Sequence, residues 1–247
     1  MFPREEDPEH YEQIQSTWKN LLEASPKNSV YREQVARFAT HDDPSYAEEL
    51  YRLGMALEPR ESKWPERLGN ALMRRTRNAA DPATSTSMAR EAVDQFERSY
   101  ELEPWDFRRH GLQMEIARAS VAARLLDRAS TAAAVALRDA SQFERTWQYG
   151  NSVHWGHIVL GKVAVLGGDV ETASTELVLV GRTPGSPQLN SYGPDLELAQ
   201  ALLDVGRTAA VRDYLTECKR FWGMDRGALD GWIGQISSNQ IPKLVIT

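Results

Sequence analysis

Ala47-Glu48-Glu49-Leu50-Tyr51-Arg52-Leu53-Gly54-Met55-Ala56-Leu57-Glu58-Pro59 decides how this chain is read, because the phrase returns with variation further on. The second copy is Ala92-Val93-Asp94-Gln95-Phe96-Glu97-Arg98-Ser99-Tyr100-Glu101-Leu102-Glu103-Pro104. In each, an alanine is followed one helical turn later by an aromatic, Tyr51 or Phe96, and the phrase closes on Leu-Glu-Pro. Residues four apart share a helix face. The small alanine lets a partner helix approach, the aromatic fills the gap beside it, and the proline stops the helix. Each phrase therefore reads as the second helix of a helix-turn-helix unit.

Outward from these phrases, helical periodicity runs nearly end to end, with no convincing strand alternation. An all-α chain of about five helix pairs is expected. A first helix fits 8–24, with Tyr11, Ile14, Trp18, Leu21 and Leu22 on one stripe. Helices over 30–39 and 45–57 follow, with Ser45 as N-cap of the latter. Trp64-Pro65-Glu66-Arg67-Leu68-Gly69 opens the next unit, and 78–87 reads as a polar loop inserted between its two helices. A third pair fits 106–122 and 126–140. Leu160-Gly161, Gly168-Asp169 and Ala173 mark a fourth, and Thr183 to Gly193 reads as a long loop. A fifth pair fits 194–205 and 208–222. A last helix near 226–236, with Leu229, Trp232 and Ile233, closes the apolar end of the stack. The expected division is a capping helix in 1–25, the helical units in 26–225, and a capping helix and tail in 226–247.

The 247 residues are 41% hydrophobic and 26% charged, as in ordinary folded chains, with a net charge of −6. That balance argues against a nucleic-acid partner, which needs a basic field. No apolar run reaches membrane-spanning length, and Met1-Phe2-Pro3-Arg4-Glu5-Glu6-Asp7 lacks the apolar stretch of a secretory leader. Cys218 is the only cysteine, so no intrachain disulfide forms, which suits a reducing compartment. The expectation is a soluble cytoplasmic protein with no membrane partner. The histidines and the cysteine show no zinc spacing, and phosphate-loop, dinucleotide and nucleophile-elbow signatures are missing, so no metal or cofactor is expected.

Counting back from the terminal prolines predicts which side chains face the inner surface of the stack. The first helices offer Glu33 and Arg37, then Lys63, Glu66, Asn70 and Arg74. The third unit offers Arg108, Glu115 and Arg118, and the fourth Asn151, Trp155, Ile158 and Lys162. Lys63, Asn70 and Arg108 are candidate binding residues, since cations there can hold an anionic group through charge-assisted hydrogen bonds. Glu66 and Glu115 are candidate general bases. The opposing reading is a solvated groove with scattered ion pairs.

Thr146 to His157 is the densest stretch. On a helix, Trp147, Asn151, His154 and Ile158 share one stripe, and polar groups there need partners. A ligand would be walled by Trp147 and Trp155, held by Asn151, and given or relieved of a proton by His154. The alternative is mutual satisfaction between packed helices. His157 reads as structural, and Cys218 as a core thiol. Asn190 and Tyr192 either reach over the groove from their loop or cap and bridge helices. Asp195 is the better fit to a helix cap.

The segments Ala47-Glu48-Glu49-Leu50, Trp64 to Gly69, Tyr149-Gly150-Asn151, His154, Leu160-Gly161, Thr183 to Pro194 and Phe221-Trp222-Gly223-Met224-Asp225-Arg226-Gly227 resemble those of a largely uncharacterised bacterial group of tetratricopeptide-like proteins. The resemblance covers the chain from about Pro26 and implies a right-handed helical-repeat superhelix. More loosely, and on no single motif, the chain is similar to the helical-repeat proteins of aziridine formation in azinomycin-type biosynthesis. That likeness implies a cofactor-independent cyclisation of a small or carrier-protein-bound amino-acid derivative, with loss of an anion such as sulfate. On it, Glu66, Glu115 and His154 are the catalytic candidates. The other function class is a non-catalytic adaptor that holds a protein segment or tail in its groove, for which Lys63, Asn70 and Arg74 are a partial match.

Overall fold

The computed structural model describes residues 7–245; the acidic start over 1–6 and the last two residues, on which the leader and tail readings partly rest, lie outside them. Among the described residues every regular element is helical. The chain divides into two compact units, Met1–Pro104 and Trp105–Thr247, with the boundary at the proline that closes the second phrase.

The first unit holds α1 (Pro8–Ala24), α2 (Ser29–Asp42), α3 (Pro44–Leu57), α4 (Lys63–Thr76) and α5 (Pro82–Leu102). Each successive pair of helices packs together. The alanines and aromatics of both phrases are buried as the pattern requires: Ala47, Ala92 and Phe96 fully, Tyr51 almost so. Phe96 lies against Gly69, where a larger residue would not fit. Local chemistry sets the helix starts. The Asn28 side chain accepts from the Val30 and Tyr31 N–H groups at 3.0 and 3.1 Å, capping α2. Asp43, not Ser45, caps α3, because Pro44 takes the first helical position and fixes the turn one residue earlier. Asp81 caps α5 in the same way, so most of the expected 78–87 loop is helix.

The second unit holds α6 (Asp106–Ala122), α7 (Leu126–Asp139), a 3-10 turn (Ala140–Phe143), α8 (Trp147–Leu166), α9 (Val170–Gly181), α10 (Pro187–Tyr192), α11 (Glu197–Asp204), α12 (Thr208–Cys218) and α13 (Ala228–Ser237). α8 packs on α6, α7 and α9 and is the spine of this unit. Thr183 to Gly193 is not wholly a loop. Ser186 caps the short α10, whose Pro187 sits at the first helical position. The carbonyl of Gly185 rests against Gly150 of α8 with no space for a side chain there. The close approach at Gly150 is thus by backbone. The core joins Ile158, Leu177, Leu198, Leu202, Tyr214, Trp222 and Trp232, with Cys218 buried among them. No helix of the described residues is long and apolar enough to cross a membrane.

Candidate functional site

The sequence candidates divide between the units. Lys63, Glu66 and Asn70 belong to the first; Glu115, His154, Arg108, Trp147, Asn151, Trp155, Asn190 and Tyr192 belong to the second.

In the first unit, α2 and α4 present matching stripes. Glu33, Arg37, Thr40 and His41 follow helical spacing on α2, and Lys63, Arg67, Asn70, Ala71 and Arg74 follow it on α4. Between them lies a cavity of about 330 Å³, the size of small-ligand sites. Ala71 and the almost buried Tyr51 of α3 floor it, and Arg37, His41 and Arg74 form an exposed rim. Thr40 donates to the Ala36 carbonyl at 2.8 Å, so the Tyr51 hydroxyl, 3.4 Å away, is the donor in their contact. Asn70 donates to the Glu66 carbonyl at 3.0 Å, which leaves its amide oxygen and second N–H for the cavity.

The charges are unequal along this groove. Arg67 gives Nη2 to Glu33 at 3.0 Å, while its buried Nε has no partner among the described residues. Lys63 lies near Glu33 and Glu58, at 3.9 and 4.0 Å, and over the Trp64 ring at 4.6 Å. The side chains of Arg37 and Arg74 make no hydrogen bond or ion pair with any described residue. No carboxylate lines the cavity. Three guanidiniums and the second N–H of Asn70 face a cavity with no carboxylate in its lining, a set of donors whose chemistry suits an oxyanion.

The second unit treats its polar residues differently. Glu115 is held by Arg118 at 3.1 Å, and Arg118 stacks over Trp155 at 4.0 Å. Lys162 is bound by Asp195 and Glu197 at 3.1 and 2.7 Å. Asn151 accepts from Ser186 at 2.6 Å and donates to Gln188 at 3.5 Å. Asp195 also accepts from the Glu197 N–H at 3.0 Å just ahead of α11, although Leu196, not Asp195, stands at the N-cap position of that helix. His157 meets Glu176 at 2.7 Å, which suits a structural residue. Trp147 is half exposed and meets Phe107 edge-on at 5.8 Å. Arg108 and Asn190 are exposed, and Tyr192 points almost fully to solvent.

His154 is fully buried. Its Nε2 accepts the Asp195 N–H at 3.2 Å, and Nδ1 has no partner among the described residues. Burial, then the nearby Arg118 and Lys162 charges, push its pKa down to about 3. At neutral pH it is an uncharged acceptor inside the unit, a poor fit to a proton carrier. His110 and Ser152, 2.7 Å apart, have the spacing of a base and nucleophile. Ser152 already donates to the Gln148 carbonyl at 2.8 Å, so it accepts from His110 and is not activated.

Residues missed in sequence were Arg67, Thr40, His41 and Tyr51. Arg67 was absorbed into a packing motif and Tyr51 into a gap-filling role. Thr40 and His41 fall three and four residues beyond Arg37, a spacing that would have placed them. No protein-family model matches this chain, and no curated protein matches it.

Proposed function

We propose that this is a tetratricopeptide-like protein of right-handed helical-repeat form whose first unit binds a small organic molecule through an anionic group. The observation that carries the reading is the pair Arg37 and Arg74, facing a carboxylate-free cavity without protein partners among the described residues. An unpaired guanidinium gains most from an oxyanion, because a fork of N–H donors matches two oxygens at once. Asn70 supplies an oriented neutral donor through its second N–H.

Such a site can also serve the cyclisation implied by the looser resemblance. The substrate's amine nitrogen attacks the neighbouring carbon, the carbon–oxygen bond to sulfate breaks, and the sulfate leaves with the bonding pair. The arginines take up the developing charge, and a carboxylate accepts the amine's proton. Glu66, one turn before Asn70 on α4, is the base candidate in the same unit. The charge sink is the part of this mechanism that the groove supports.

The test is titration calorimetry with sodium sulfate, with a carboxylate-bearing amino-alcohol sulfate ester, and with a peptide ending in acidic residues. Arg37→Ala and Arg74→Ala should each weaken small-anion binding by about tenfold or more, in keeping with the value of charged hydrogen bonds. Unchanged binding in both folded variants, or no anion binding by the wild type, overturns the proposal. Binding of the acidic peptide about a hundredfold tighter than the small anions would replace it with the adaptor.

A further inference from the structure

The cavity of the first unit has a charged rim and a neutral floor. Arg37 and Arg74 stand at the rim with their guanidiniums open. Below them, Thr40 gives its proton to the Ala36 carbonyl at 2.8 Å, so the Tyr51 hydroxyl, 3.4 Å away, gives its own to Thr40. The Tyr51 oxygen keeps its lone pairs and takes no proton from any described residue. Asn70 adds a second acceptor. Its amide nitrogen donates to the Glu66 carbonyl at 3.0 Å, which fixes the way the amide is turned and leaves Oδ1 without a donor among the described residues. Tyr51 is only 3% exposed, and an acceptor at such depth gains more from a ligand's donor than one at the surface. Asn70 and Arg74 stand one turn apart on α4, about 6 Å along the axis. A short carbon spacer therefore joins a head group at Arg74 to a donor at Asn70.

We infer that the cavity takes a hydroxylated oxyanion: the anionic head lies at Arg37 and Arg74, and an uncharged hydroxyl, a short spacer away, donates to the acceptors Tyr51 Oη and Asn70 Oδ1. The inference rests on the anion-binding reading and gives it a substrate class. The donor is neutral because no carboxylate lines the cavity. An ammonium at the floor would meet the open guanidiniums of Arg37 and Arg74 with no counter-charge beside it, whereas a hydroxyl donates without charge. An amine enters only as its free base, the form in which it attacks in the cyclisation. A methyl in the hydroxyl's place leaves both acceptors without a donor, and that loss is what makes such a floor selective.

The experiment is titration calorimetry at neutral pH and constant ionic strength with three sulfonates of one size: isethionate, n-propanesulfonate and taurine. They share a head group and place a hydroxyl, a methyl and an ammonium at the same position. Wild type should bind isethionate on the order of tenfold tighter than propanesulfonate, and taurine no tighter than propanesulfonate. Tyr51→Phe keeps the ring and removes one acceptor, and Asn70→Ala removes the other. The isethionate-to-propanesulfonate ratio should fall in each variant and approach about one in the double variant. Equal binding of the two by wild type, a ratio kept in full by the folded double variant, or taurine binding tighter than isethionate overturns the inference. Inorganic sulfate with Arg37→Ala and Arg74→Ala is run alongside. If neither variant weakens sulfate binding, the anion-binding reading fails and this inference with it. If both do while wild type binds isethionate no tighter than propanesulfonate, only this inference fails. Helical circular dichroism certifies the fold of each variant, and the wild-type comparison carries the test if a floor variant does not fold.

Discussion

A buried histidine that accepts one hydrogen bond from a backbone amide is a pH liability, and His154 is such a residue. In the unfolded chain its imidazole takes a proton near pH 6.5; in the folded protein it does so only near 3. Between those values the unfolded state binds the extra proton, so stability is full above about pH 6.5 and falls as the pH drops toward 3. From pH 7 to 5 His154 alone should cost about 2 kcal/mol. Urea unfolding of wild type and His154→Gln at both pH values checks this. The glutamine amide oxygen can take over the bond from Asp195, and the variant should lose that part of the pH dependence. A wild-type slope retained in full by the variant would show that other groups carry it.

At the level of elements, α2 and α4 matter most, because each side chain's place in the groove depends on the helix it rides. Asn28 satisfies two otherwise unpaired N–H groups at the start of α2. Asn28→Ala should lower stability by about 1 kcal/mol in urea unfolding. It should leave Arg37, about two and a half turns away, competent for sulfate. The element-level errors of sequence reading have one cause. Pro44, Pro82 and Pro187 each take the first turn of a helix, and the residue before each supplies the cap. A proline flanked by polar residues reads as a loop until its neighbour is seen to be an N-cap. Helix spacing, in contrast, was legible. Arg37, Asn70 and Arg74 were placed on the inner face by counting alone, and all three line the cavity.

For the molecule as a whole, the two units differ in whether a pair of cations is left open at a cavity. The second unit pairs Glu115, Arg118, Asn151, Lys162 and Asp195 with its own side chains, so the densest stretch of the sequence, 146–157, is largely framework. The first unit pairs Arg52, Arg67 and Arg75 but leaves Arg37 and Arg74 open at its cavity. A ligand that binds only the folded state stabilises it by mass action. Sulfate at about a hundred times its dissociation constant should therefore add about 2.7 kcal/mol to the stability of the unit that binds it. Sulfate also stabilises proteins generally, by exclusion from their surface. The informative quantity is the excess over the Arg37→Ala/Arg74→Ala double variant, followed by thermal melting in sulfate and in chloride at matched ionic strength. No excess over the double variant would remove the site.

By itself the sequence determined that the chain is helical, where most helices run, and which residues of α2 and α4 share a stripe. Those properties follow from the spacing of apolar and small residues along one helix, which is local. It could not determine which polar residues are left unpaired. Arg118 and Arg74 look alike as letters, and their chemistry depends on what the neighbouring helix brings. Arg118 finds Glu115 and Trp155, and Lys162 finds Asp195. Arg74 finds an open cavity. His154 reads as a proton carrier in a stripe of aromatics, but burial removes the water that would stabilise its charged form. Only tertiary packing settles such questions, because pairing and desolvation depend on distance in space rather than along the chain.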